Sequence, residues 1–228
     1  MKPTKSPSTK SVDTRERIVI AALGLFESKG YNESTMRDIA KEAQVSLGLT
    51  YRYFSRKEEL VLALYQKLAA QCVEKIQALG EGSIAMRYPA ALELTLDTLS
   101  LHRSTLGALF SAGLSIDSSL AVLGDGTVDI REQMIDMYRQ VITGSTDSPK
   151  ANQVEQIAII MYAGHLLTVL FWTQDRTEGQ AQAKKLVRFY RKGIKWGLPF
   201  LRIAIVRKLL AELTEIIEPV FGARAVTA

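Results

Sequence analysis

The segment STMRDIAKEAQVSLGLTYRYFSRKEEL, Ser34 to Leu60, carries two short helical patterns separated by a tight turn, and the rest of the chain is read outward from it. Thr35 has the hydroxyl of an N-cap, and Asp38 stands three residues on, where a carboxylate suits a helix N-terminus. Met36, Ile39, Ala40 and Ala43 then share one face. Val45 is an apolar turn residue, and Ser46 is a second N-cap that opens a helix of about two turns ending at Tyr53 or Phe54. Ala40 is small enough to let two steeply crossing helices approach. The pattern predicts a helix-turn-helix whose second helix, Leu47 to Tyr53, carries small, hydroxyl, aromatic and cationic groups suited to a DNA major groove.

The run Val-Ser-x-Gly-x-x-Tyr-x-Tyr-Phe-x-x-Lys-x-x-Leu, on Val45, Ser46, Gly48, Tyr51, Tyr53, Phe54, Lys57 and Leu60, resembles the signature of the tetracycline-repressor-like (TetR) transcriptional regulators. The resemblance covers residues 12 to 62 and implies a DNA-reading head on a helical body. It implies backbone or base contacts from Thr35, Arg37, Tyr51 and Lys57, and an inward-packed Phe54. Gly48, Leu49, Thr50, Arg52 and Tyr53 are the further candidates to face the groove, with Arg52 able to fork onto guanine. The sequence departs from the family at Thr50, where relatives usually carry an aliphatic residue that packs beneath the helix, and at Leu49, where many have Thr or Ala.

A chain of 228 residues with 47% hydrophobic content can bury a sizeable core. Apolar residues recur at three and four spacing and no strand-like alternation is sustained, so the expected fold is all-α. A single cysteine, Cys72, excludes an internal disulfide, and with only two histidines a structural zinc site lacks ligands. The lysine-bearing N-terminus has no apolar segment behind it and reads as neither signal nor anchor. The apolar run Ile157 to Trp172 is 16 residues long, shorter than a membrane span, and reads as a buried helix. A cytoplasmic protein that needs no membrane is expected. Charge is uneven: +3 over residues 1–60, −5 over 61–183 and +7 over 184–228. A basic head fits phosphate binding.

In chain order, residues 1–12 read as a disordered basic tail, 13–56 as the helix-turn-helix domain, and 57–228 as a helical ligand-binding and dimerisation domain. Asp13 or Thr14 is expected to cap a first helix with the stripe Ile18, Ala22, Leu25, Phe26, stopped by Gly30. Ser55 with Glu58 reads as a capping box opening a fourth helix, with Lys57 and the helix N-terminus forming a phosphate site. Further helices are expected at 84–101, 103–113, 127–143, 150–174, 178–197 and 200–217, broken at SIDSS, GDG and GSTDSP. The resemblance implies that the last long helices pair with their twins in a homodimer, where Ala163 and Gly164 would permit close approach. A two-turn reading helix makes few contacts, so a dimer on a palindromic operator is also the physical expectation.

His102, Phe110, Met134, Met137, Met161, Tyr162, His165 and Trp172 are the residues of the body that would line an apolar effector pocket with a few polar handles. No nucleophile elbow, Gly-rich phosphate loop or HExxH is present, so the chain is not expected to be an enzyme and no cofactor is called for. The leading expectation is a repressor that binds double-stranded DNA as a homodimer and is released by a small apolar effector. The alternative is a lipid carrier that meets membranes through the basic, aromatic helices of residues 184–217.

Overall fold

Local signals in the sequence translate directly into helix ends. The structure is a computed structural model that describes residues 9–113 and 123–221, and every regular element among them is helical. α1 (Thr9–Ser28) begins four residues ahead of the expected cap at Asp13, within the stretch read as tail; residues 1–8 lie outside the described residues. It stops where foreseen. Gly30 adopts φ +91°, in the left-handed region that glycine enters without strain, and its N–H and that of Lys29 return to the carbonyls of Phe26 and Leu25.

α2 (Met36–Glu42) carries the full capping box: Asp38 N–H donates to Thr35 Oγ1 at 3.2 Å, and Thr35 N–H donates to the Asp38 carboxylate at 3.1 Å. α3 (Leu47–Tyr53) is capped by Ser46 Oγ, which accepts from Leu49 N–H at 3.1 Å. At the next junction the acid is Glu59, not the expected Glu58: its carboxylate accepts from both Ser55 N–H and Ser55 Oγ–H, and α4 (Lys57–Gln77) starts two residues later. α4 carries Glu58 and Glu59 in its first turn, beside the N-terminus where a phosphate site is expected.

The body follows as α5 (Ile84–Leu99), α6 (Arg103–Gly113), α7 (Val128–Thr143), α8 (Ala151–Gln174), α9 (Ala181–Gly197) and α10 (Ala204–Phe221). These match the periodicity closely. The GDG break is a single 3₁₀ turn at Asp125–Thr127, and the SIDSS break lies outside the described residues. α8 is the centre of the body, touching α5, α6, α7, α9 and α10. It is the one helix among the described residues long and apolar enough to cross a membrane, and those five neighbours cover much of its apolar perimeter while Leu167 and Phe171 stay exposed.

Gly164 has an internal reason. A Cβ there would stand 2.5 Å from the Tyr88 hydroxyl, which donates to Met161 O at 2.9 Å. The glycine therefore admits Tyr88 of α5, not a twin helix as expected. α10 binds α8 through Leu210, Thr214, Ile217 and Phe221, while the adjoining flank of Ile205, Leu209, Leu213, Ile216 and Val220 stands between 47% and 71% exposed.

Candidate nucleic-acid interface and apolar cavity

α3 is too short to stand alone, and its orientation follows from what it buries. Thr50 is fully buried and its hydroxyl donates to Ser46 O at 3.2 Å, while Phe54 at the C-cap is 2% exposed. This corrects the expectation that Thr50 faces the groove: it occupies the inward position that an aliphatic residue would fill. Tyr53 also packs partly on the core, and Leu49 is half-buried. What remains outward is Gly48, Tyr51 and Arg52, at i, i+3 and i+4, one ridge along the free face. Thr35 and Arg37 are exposed at the start of α2, beside that ridge in sequence order.

Lys57 has a different task from the phosphate contact expected of it. Its ammonium donates to Tyr31 O at 2.6 Å and Ser34 O at 3.0 Å and lies 4.2 Å from the centre of the Tyr31 ring. It ties the α1–α2 loop to α4, and burial lowers its pKa. The head is braced on its other side by Arg17, whose guanidinium caps α2 at Ala43 O, 2.6 Å away.

In the body, an apolar cavity of about 100 Å³ opens between α4, α5, α6, α7 and α8. Four of the eight residues expected at a pocket border it: Phe110, Met134, Tyr162 and His165. The other four do not. Met137 and Met161 are core residues of α7 and α8, and the Trp172 ring is covered by the Arg103 guanidinium at 5.5 Å. His102 pairs with Glu27 of α1, joining body to head. The sequence reading missed the wall supplied by α4, namely Tyr65, Leu68, Ala69 and Cys72, whose i, i+3, i+4, i+7 spacing marks one helix face. Burial raises the Cys72 thiol to about 11, which makes it a lining group and a poor nucleophile.

Polar groups on the cavity are few. His165 stacks on Tyr162 and its Nδ1 lies 2.9 Å from the Tyr138 hydroxyl; burial lowers its pKa to about 4, so the ring is neutral near pH 7. Tyr65 Oη is buried without a hydrogen bond.

Comparison with known proteins meets this geometry at the head. Residues 18–64 match the bacterial regulatory proteins of the tetR family. That match spans the second half of α1, all of α2 and α3, and the start of α4. The head of the chain is thus a tetR-type domain. Curated regulators are similar to the chain as well. The regulator YuxN of Bacillus subtilis is 45% identical over 51 residues, 22% of this chain and 18% of its own. The fatty acid metabolism regulator protein of the same organism is 25% identical over 153 residues, 58% of this chain and 78% of its own. Most curated TetR-type relatives are matched over less than two thirds of their length. The crystal structure of Bacillus subtilis FadR in complex with stearoyl-CoA shares the fold, with a TM-score of 0.58 at 17% identity over 78% of this chain and 98% of that one. The body therefore shares the fold of that regulator as well as the head.

Proposed function

We propose that the protein is a ligand-responsive transcriptional regulator, acting as a repressor: a homodimer that reads a palindromic operator through the Gly48–Tyr51–Arg52 ridge and is released by a small apolar effector. The observation that carries this reading is that α4 serves both sites. Its first half carries Lys57, which holds the α1–α2 loop, and Leu60 and Leu64 in the core; its second half supplies the α4 wall of the cavity. Tyr65 borders the cavity, and Glu16 of α1 is held by Lys67 of α4 at 2.8 Å. A molecule that changes the set of α4 changes the set of the head with it. It can release DNA only in proportion to its preference for the non-binding arrangement.

The domains divide accordingly, with residues 13–56 as reader and 57–228 as ligand-binding and dimerisation body, and the protein works in the cytoplasm where its DNA is. The second copy would cover the open flank of α10. The relatives' role in fatty acid metabolism makes an acyl compound the first effector class to test.

Selection of bound fragments from random DNA tests the central claim. A two-fold symmetric site is expected, with binding weakened on Tyr51→Ala and Arg52→Ala while the fold is retained. Enrichment of no sequence, or full affinity in both variants, would sink the reading.

A further inference from the structure

The cavity distributes its hydrogen-bonding groups in a way that selects a ligand chemistry. Tyr138 Oη and His165 Nδ1 are 2.9 Å apart and both residues are buried. The Tyr138 proton has no other acceptor among the described residues, and leaving it unpaired would cost on the order of 1–3 kcal/mol. Tyr138 therefore donates and Nδ1 accepts. A neutral imidazole holds one proton, which this places on Nε2. Nε2–H has no acceptor among the described residues, and His165 borders the cavity. On α4, Tyr65 Oη is a second donor at the same cavity, buried and without a partner.

The surroundings are positive. Among the described residues no Asp, Glu, Lys or Arg lines the cavity. Behind its Thr127, Arg131 is 5% exposed; its guanidinium donates to Gly124 O at 2.6 Å and Thr127 Oγ1 at 2.8 Å, and its Nε is left without a partner. A buried cation that makes no ion pair among the described residues favours electron-rich atoms and opposes a second cation.

We propose that the cavity takes a compact, largely apolar molecule bearing one oxygen acceptor, a carbonyl or a carboxylate, which meets His165 Nε2–H and Tyr65 O–H, and that it rejects amines. The inference rests on reading the cavity as the effector site. A volume of about 100 Å³ fits a single ring or a short chain. Longer acyl groups would have to force the walls apart.

Calorimetric titration of the full chain with four one-ring probes decides the matter: toluene, acetophenone, benzoate and benzylamine. Acetophenone and benzoate are expected to bind about tenfold tighter than toluene, the worth of a buried hydrogen bond, and benzylamine weaker than toluene. A preference for benzoate over acetophenone identifies a carboxylate ligand drawn by Arg131; the reverse identifies a neutral carbonyl. Tyr65→Phe and His165→Phe should each bring the oxygen compounds toward the toluene level while toluene itself is unchanged. Tyr65→Phe removes only an unpaired oxygen, so it folds even where His165→Phe does not. Toluene bound as tightly as the oxygen compounds, benzylamine preferred, or undiminished acetophenone and benzoate binding in Tyr65→Phe overturns the acceptor assignment and leaves the cavity standing as a site. If none of the four binds, the effector cavity falls with it, while operator selection still judges the DNA-binding half separately.

Discussion

Thr50 shows how much one side chain settles. Its hydroxyl returns to Ser46 O within α3, and Thr50 N–H already donates to the same carbonyl. Thr50→Val keeps the shape and the backbone bond, so stability should change by no more than about 1 kcal/mol and operator affinity should hold. Arg52→Ala, on the free ridge, should cost about 1–3 kcal/mol of operator binding and relax the preference at one base pair. Quantitative footprinting of both variants measures the contrast, and a large loss for Thr50→Val would place that residue in the groove after all. His165 makes a prediction of the other kind. Its folded pKa of about 4 lies below the ordinary 6.5, so between those values the unfolded chain binds the proton that the native state refuses. Stability therefore falls as pH drops through that window, by on the order of 3 kcal/mol when the penalty is complete. Urea midpoints at pH 7 and pH 4.5 should differ less in His165→Phe than in the parent protein; equal differences would mean that the imidazole titrates normally. The residues alone settle neither result, although the family resemblance points to an inward side chain at position 50. A threonine suits a groove and an i−4 back-bond equally, and the partners of His102 and His165 come from residues 75 and 27 positions away.

At the scale of elements, helix ends were legible because caps are local. Thr35 with Asp38, Ser46 and Gly30 act within four residues of themselves, and each lies where its chemistry called for it. Ser46→Ala should cost about 1 kcal/mol of stability, measured by thermal unfolding, because Leu49 N–H loses its acceptor. α8 was less legible for a physical reason. A helix that is apolar on all sides has no periodicity to reveal which side faces α5, α7 or the cavity, so Tyr162 and His165 could not be separated from Met161 and Trp172. Gly164 looked like a place for a twin and is a place for Tyr88. Gly164→Ala should destabilise by about 1–3 kcal/mol through displacement of the Tyr88 hydroxyl. Its effect on association should be nil, which a dimer contact at that residue would contradict.

At the scale of the whole molecule, a continuous exposed apolar flank among the described residues lies on α10. Thr214 and Ile217 seat the helix on α8, yet the flank of Ile205, Leu209, Leu213, Ile216 and Val220 continues outward at spacings of three and four, with Leu167 and Phe171 of α8 also exposed. An apolar stripe this wide is more than one monomer covers, and a monomer rarely leaves so continuous a patch in water. A second copy meeting it about a two-fold axis would bury the same residues on both sides and fix the spacing of the two α3 ridges. Leu213→Glu combined with Ile216→Glu tests this. On a solvated surface two such substitutions cost little, typically within about 0.5 kcal/mol each, whereas in a buried interface they place four carboxylates, two per subunit, in an apolar setting. The double variant should sediment as a monomer with its helical circular dichroism intact and should lose operator affinity far beyond what either head alone could explain. A dimer that survives both substitutions would move the interface off α10, onto the remaining exposed faces of α8 and α9.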